Sequence, residues 1–111
     1  MTLTLNEYQK RALVTDKKNQ ELKDRLADKA LGLAGEAGEA ADHIKKHLFH
    51  GHDLDKAKLT GEIGDVLWYV AVLSAALEID LEDVARMNLD KLRRRYGGEF
   101  TVEKSVNRLQ D

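Results

Sequence analysis

One segment constrains the fold of this chain more than any other: residues 66–77, VLWYVAVLSAAL, are apolar nearly all round a helix. Twelve residues are too few to span a bilayer, which takes roughly 20, so the segment predicts a buried helix. A helix without a polar face has to be covered on every side. Four short helices can hardly do this alone, and we expect a second subunit to cover part of it.

Length and composition predict a small helical domain. The 111 residues suit a single domain over residues 1–111, with a core at about 5–96 and a polar tail at 97–111. Hydrophobic residues make up 42% and charged residues 34%, a balance that suits amphipathic helices with solvated outer faces. The chain has no proline, so nothing forbids long uninterrupted helices.

Charge and cysteine content argue against several classes of protein. A net charge of −2 gives no support for a protein that binds nucleic acid through phosphate contacts. Without cysteine there is no disulfide, no zinc–thiolate site and no thiol nucleophile. Residues 1–13 carry charges through their apolar pattern, unlike a signal peptide. We therefore expect a cytoplasmic protein that binds neither a nucleic acid polymer nor a membrane.

Hydrophobic periodicity predicts four helices and no strand, which makes the chain all-α with a four-helix bundle-type fold. The predicted helices cover residues 5–15, 20–48, 56–77 and 81–96. Capping signals support these limits: Thr4 with Glu7 at the first helix, Asp53 or Asp55 at the third, Asp80 at the start of the fourth and Gly97-Gly98 at its end. A further short helix is expected after Thr101.

Glycines interrupt the second predicted helix at Gly32, Gly35 and Gly38. Each costs about 0.5–1 kcal/mol relative to alanine inside a helix. Either a ligand approaches this backbone closely, or the glycines allow tight packing against another helix. The sequence leaves both interpretations open.

Four carboxylates form two pairs with helical spacing. Glu36 and Glu39 are three residues apart on the second helix, and Glu62 and Asp65 repeat that spacing on the third. Residues three apart lie about 60° apart around a helix, so both members of a pair can reach one ion. Each pair flanks an apolar stripe, and antiparallel packing of the two stripes would make the four carboxylates converge.

A cluster of this kind cannot stay ionised without a cation. Oxygen ligands favour a hard ion such as Mg²⁺, Mn²⁺ or Ca²⁺ over Zn²⁺ or Cu²⁺. Mg²⁺ in particular keeps several waters and completes its shell with substrate phosphates. In helices so rich in Glu and Asp, each pair taken alone is also explained as part of a solvated face.

Histidines, cations and aromatic residues supply further candidates. His43 and His47 lie on the stripe of the first carboxylate pair, and His50 and His52 flank Gly51; each is either a ligand contact or an ordinary exposed histidine.

On the fourth helix, Asn88, Lys91 and Arg95 face one side and suit a polyphosphate, although cations near a helix C-terminus are also favoured by the helix dipole. Trp68 and Tyr8 are candidates to contact a base; packing in the core explains Trp68 equally well.

These segments resemble the MazG-type nucleotide pyrophosphohydrolases of the all-α NTP pyrophosphatase superfamily. The similarity lies in GLAGEAGEAAD at 32–42, GEIGDVLWYVAVL at 61–73 and MNLDKLRRRY at 87–96, and extends over roughly residues 5–108. An ExxE pair, a spacer, an ExxD pair and then a lysine and an arginine occur in the order of the family pattern. The His-rich stretch 43–52 departs from that pattern.

The resemblance implies a homodimer or a dimer of dimers that hydrolyses a nucleoside triphosphate to the monophosphate and pyrophosphate. It implies Mg²⁺, with Mn²⁺ as a substitute, held by the four carboxylates. Asn88, Lys91, Arg95 and Tyr96 would hold the phosphates. We expect Glu39 and Glu62 to be catalytic, with Glu39 also accepting the proton of the attacking water.

Two other classes remain open. A different carboxylate metal protein, such as a metal-storage or di-iron bundle, would be expected to show Glu-x-x-His pairs in both metal helices, which are absent. A helical interaction module that has lost activity is disfavoured by the intact carboxylates and cations. Base and sugar preference, physiological role and the choice between dimer and tetramer do not follow from the sequence.

Overall fold

The computed structural model describes residues 2–108, and that part of the chain is all-helical. The elements are α1 (Leu5–Ala12), a 3₁₀ turn (Leu13–Thr15), α2 (Leu22–Phe49), α3 (Lys56–Ala76), α4 (Leu81–Tyr96) and α5 (Val102–Val106). These limits agree with the predicted helices to within a few residues. The predicted tail, 97–111, contains α5, and its last three residues lie outside the described part.

The framework of the fold is an antiparallel hairpin of α2 and α3, which make the most extensive contact between two described helices. The first helix crosses the second half of α3, where Ala71 and Val72 are completely buried. Ala12 from α1 and Leu81 from α4 complete this small core. The apolar run of α3 is therefore the central helix, as its composition predicts.

Close packing at Gly32 sets the register of the hairpin. A Cβ atom at this position would overlap the ring of Tyr69, so only glycine allows the two helices to approach here. In contrast, a Cβ at Gly35 or Gly38 would meet no atom within 4 Å. The packing interpretation thus holds for Gly32, whereas the chain itself does not explain the other two glycines.

The first turn of α4 is capped by α1 rather than by its own preceding residue. Asp80 occupies the N-cap position, as predicted, but its side chain makes no capping hydrogen bond. Instead the N–H of Leu81 donates to Gln9 Oε1 at 3.0 Å, and the N–H of Glu82 donates to Asn6 Oδ1 at 3.0 Å. The N–H of Asn6 donates in return to Glu82 Oε2 at 3.2 Å.

A buried ion pair fixes the segment between α1 and α2. Lys29 Nζ lies 2.6 Å from Asp16 Oδ1, and both side chains are only 4% exposed. Arg25 also reaches Asp16, at 3.3 Å, and Lys29 Nζ lies 5.3 Å from the centre of the Trp68 ring. Burial alone would raise the pKa of Asp16, but the hydrogen bond and charge of Lys29 outweigh it and lower that pKa below its ordinary value.

The single chain is too extended to bury its apolar surface. Its radius of gyration is 16.9 Å, whereas about 13 Å is usual for a compact chain of this length. Large exposed apolar side chains include Leu31 and Leu48 on α2, Ile63 on α3, and Met87, Leu89 and Leu92 on α4. By length and composition alone, α3 is also the one described helix that could cross a membrane, a weak criterion that core helices of soluble domains meet as well.

Candidate active site

The register of the α2–α3 hairpin brings the two carboxylate pairs face to face. With Gly32 against Tyr69, antiparallel packing sets Glu36 opposite Asp65 and, one turn further on, Glu39 opposite Glu62. Desolvation raises the pKa of Glu36, and the charges of Glu39, Asp65 and Glu62 raise it further. The charges of the other three carboxylates therefore act on Glu36.

The donor set fits a hard divalent cation, although the side chains are not already arranged around one point. Within residues 2–108, no three histidine, aspartate or glutamate side chains are close enough together to hold an ion. Mutual repulsion favours separation of like-charged carboxylates, and a cation between them reverses that preference. One oxygen, Oε2 of Glu62, is buried without a hydrogen-bond partner among the described residues, as an unsatisfied ligand oxygen would be.

Beside these carboxylates an open cleft of about 620 Å³ lies between α2 and α3. Glu39 and Glu62 lie along its wall, and Gly35 and Gly38 keep the α2 side free of side chains. Gly35 and Gly38 thus leave room for a ligand beside the carboxylates, which agrees with the ligand interpretation of the glycine-rich sequence.

Cations from both helices lie along the outer part of this cleft. Lys46 Nζ is 2.8 Å from Asp42 Oδ2, and this pair raises the pKa of Lys46 and, despite slight desolvation, lowers the pKa of Asp42. Lys58 lines the cleft from the first turn of α3. The sequence interpretation did not single out either lysine, and the only signal was the position of Lys46 within, and of Lys58 shortly after, the His-rich stretch 43–52.

Two histidines are held by specific contacts. His43 Nδ1 lies 3.8 Å from Glu62 Oε1, and His43 Nε2 lies 3.3 Å from the backbone N–H of Asp55. His47 Nδ1 lies 2.8 Å from the carbonyl oxygen of His52. His43 and His52 line the cleft, so two of the four histidines lie at the candidate site.

The two aromatic candidates have different surroundings. Trp68 donates its indole N–H to Thr15 Oγ1 at 2.9 Å and packs edge-on against Tyr69, so packing accounts for it without a ligand. Burial raises the pKa of Tyr8, and the negative charge of Asp65 raises it further. Tyr8 is therefore within electrostatic reach of the carboxylates. A base contact by either residue stays a prediction.

The predicted phosphate-binding residues lie on α4, which contributes no residue to the lining of the cleft. In the described chain α4 packs mainly on α1, α3 and α5. Asn88 is exposed, and no ion pair within residues 2–108 joins Lys91 to the four carboxylates. Arg95 lines a groove beside α5, and the Tyr96 ring lies 5.5 Å from that of Phe100. A single chain does not bring these residues to the cleft.

One family model and one phage protein are similar to this chain. The family model described as the MazG nucleotide pyrophosphohydrolase domain matches residues 27–100, which is more than half of the chain. The gene 37 protein of Mycobacterium phage L5 is 42% identical over 69 residues, which cover 59% of this chain and 60% of the phage protein. The match thus spans less than two thirds of that relative. No solved structure matches this chain.

Proposed function

The chain belongs to the MazG nucleotide pyrophosphohydrolase family, and from this premise we propose that it converts a nucleoside or deoxynucleoside triphosphate to the monophosphate and pyrophosphate with the help of Mg²⁺. The observation that carries the proposal is that the charges of Glu39, Asp65 and Glu62 all act on Glu36, beside an open cleft lined by Glu39 and Glu62. The family match covers all four of these residues.

The chemistry assigned to the chain is the activation of water and the binding of a triphosphate. When bound, Mg²⁺ supplies positive charge for the phosphates and lowers the pKa of a water molecule. Glu36, Glu39, Glu62 and Asp65 would hold the ion, for which their oxygen donors are suited. Mn²⁺ is the expected substitute, because it accepts the same ligands.

Glu39 is proposed as the general base because it is an exposed carboxylate on the cleft wall. The water oxygen forms a bond to the α-phosphorus, the bond from that phosphorus to the bridging oxygen breaks, and pyrophosphate leaves with the bonding electrons. The proton of the water passes to the Glu39 carboxylate. Glu62, on the opposite helix, would supply a further carboxylate oxygen to hold the ion.

Self-association is part of this proposal. Exposed apolar side chains on α2, α3 and α4 and the extended shape of the chain support a homodimer or homotetramer. In such an assembly, Asn88, Lys91, Arg95 and Tyr96 are proposed to reach the phosphates. Analytical ultracentrifugation at micromolar concentration tests this, and a single 12.5 kDa species would refute it.

The direct test is release of pyrophosphate from a panel of ribo- and deoxyribonucleoside triphosphates, with and without Mg²⁺. We expect Mg²⁺-dependent release with a monophosphate as the second product, and loss of release in the variants Glu39→Gln and Glu62→Gln. The matched control is Glu21→Gln, an exposed glutamate before α2 whose side chain makes no capping bond.

Circular dichroism shows whether each variant retains its helices. Absence of release from every nucleotide by the folded wild-type protein with Mg²⁺ would refute the enzymatic proposal and favour a binding role for the same fold. Near-normal release by Glu62→Gln would refute the assignment of the four carboxylates.

A further inference from the structure

We propose that His43 is a positioning residue that orients the Glu62 carboxylate by donating a hydrogen bond from its Nδ1–H to Oε1, so that the second oxygen of Glu62 is directed to the cation. The inference rests on the proposed function, because it concerns one of the four carboxylates assigned there. It gives a role to one residue of the His-rich stretch, which is where the chain departs from the family pattern.

The proton position on His43 follows from its contact with the start of α3. The backbone N–H of Asp55 donates to Nε2 at 3.3 Å, so this nitrogen acts as an acceptor. In a neutral imidazole one nitrogen accepts and the other carries the hydrogen. The hydrogen of neutral His43 therefore lies on Nδ1, which is the nitrogen on the Glu62 side.

The contact between His43 and Glu62 is shielded and close to hydrogen-bond range. Nδ1 and Oε1 are 3.8 Å apart, and the two side chains are only 11% and 13% exposed. That distance exceeds a hydrogen bond, which is formed at about 2.7–3.2 Å. A small rotation of either side chain closes it, and the low exposure of both side chains limits competition from solvent for the donor and the acceptor.

No lysine or arginine takes the place of His43. Within residues 2–108, His43 is the sole basic side chain with a nitrogen within 4.0 Å of a Glu62 oxygen. Lys46 lies along the same cleft but is paired with Asp42, and Lys58 is not within ion-pair distance of Glu62. With Oε1 assigned to His43, the buried Oε2 of Glu62 is left for the ion.

This arrangement also connects the carboxylate to the first turn of α3. Asp55 caps that helix by accepting from the N–H of Lys58 at 3.0 Å, and its own N–H is held by His43. One imidazole thus contacts both the helix start and the carboxylate two turns along. Residues that hold a metal ligand in this way usually change metal affinity or activity 10- to 100-fold when they are replaced.

Two amide substitutions separate the two contacts. In His43→Asn the side-chain nitrogen occupies roughly the place of Nδ1, so a donor to Glu62 is kept and the acceptor for Asp55 is lost. In His43→Gln the amide reaches roughly the place of Nε2, so its oxygen still accepts from Asp55 and the donor to Glu62 is lost. The matched control is His47→Asn, which keeps a donor to the carbonyl oxygen of His52.

Three quantities are measured on the full chain: Mg²⁺ affinity by calorimetry, the melting temperature without Mg²⁺, and kcat for pyrophosphate release. We expect His43→Gln to weaken Mg²⁺ binding roughly 10- to 100-fold and to lower kcat, with His43→Asn closer to wild type in both. Without Mg²⁺ we expect His43→Gln to melt at a higher temperature than His43→Asn, because His43→Gln keeps the contact with Asp55. This order is the opposite of the order expected for Mg²⁺ affinity. A purely structural role cannot produce opposite orders.

Nitrogen-15 NMR of the wild-type protein adds an independent readout, since it reports which ring nitrogen of His43 carries the hydrogen. Hydrogen on Nε2 would overturn the proposal, and so would His43→Gln with wild-type Mg²⁺ affinity, or equal losses in the two variants. If the wild-type protein binds Mg²⁺ but releases no pyrophosphate, the proposed function fails while the Mg²⁺ affinities and the NMR result still decide the role of His43. A wild-type chain that binds no Mg²⁺ would overturn both.

Discussion

Replacement of Lys29 by methionine should destabilise the fold strongly, because it leaves a buried carboxylate without its nearest cation. Asp16 and Lys29 are each only 4% exposed and lie 2.6 Å apart. Methionine keeps most of the apolar stem of lysine, so the change removes charge and hydrogen bonding more than volume. Arg25, at 3.3 Å, remains beside Asp16.

The expected loss follows from this geometry. Removal of one partner from a buried ion pair typically costs about 3–5 kcal/mol. Since Arg25 and the backbone N–H of Lys17 still contact Asp16, we expect the lower end, about 3 kcal/mol. With an unfolding entropy of about 2.1 cal/mol/K per residue, that loss lowers the melting temperature by about 13 °C.

The assay is unfolding in urea at a fixed protein concentration, since self-association would add to the apparent stability. The double variant Asp16→Asn with Lys29→Met should lose about 1–3 kcal/mol less free energy of unfolding than the two single variants together, because it leaves no buried charge unpaired. Lys46→Met, which breaks the exposed pair with Asp42, is the control and should cost less than about 1 kcal/mol. If Lys29→Met costs no more than this control, the buried pair does not hold the fold.

Three further changes test other contacts. Gly32→Ala should cost about 1–3 kcal/mol through overlap with Tyr69, whereas Gly35→Ala, which meets open space, should gain about 0.5–1 kcal/mol; equal unfolding midpoints would refute the packing argument. The pKa of Asp16 is lowered on folding, so the ionised Asp16 adds to the free energy of unfolding above the unfolded pKa of about 3.9. This stabilisation is lost as the pH falls through the lower folded pKa. The variant Asp16→Asn should not show that loss when its stability is measured as a function of pH in acid. Trp68→Phe leaves two acceptors without the indole N–H and should cost about 1–3 kcal/mol, measured by circular dichroism since the chain has no other tryptophan.

Local signals in the sequence were sufficient to predict the helices. Thr4 and Asp55 both accept a hydrogen bond from the N–H three residues later, as their positions before apolar periodic segments indicate. The start of α4 was predicted, but the side chains that cap it could not be predicted in the same way. Its caps come from Asn6 and Gln9, more than 70 residues earlier in the chain, and such a contact exists only once the tertiary fold has formed.

The same distinction applies to the candidate site. The spacing of Glu36 with Glu39 and of Glu62 with Asp65 predicts two faces, and the antiparallel hairpin sets them opposite each other. The position of α4 depends on contacts with α1 and α3 that leave no periodic signal. The sequence predicts that Lys91 and Arg95 lie on one side of a helix, and both lie on α4. A single chain does not place α4 at the cleft. His43 was noted only as a member of the stripe, because its two contacts come from α3 and the loop before it.

The reciprocal bonds between Asn6 and Glu82 also join α1 to the start of α4 across a long stretch of chain. They close a loop of 76 residues, which contains the whole α2–α3 hairpin. Closure of so long a loop costs more chain entropy than formation of the hairpin itself, whose helices are joined by a few residues. When the loop opens, α1 and the start of α4 lose their shared bonds together, while the hairpin retains its own contacts. Backbone amides at Asn6 and Glu82 should therefore exchange with solvent deuterium at similar rates, and faster than those of the buried turn around Val72.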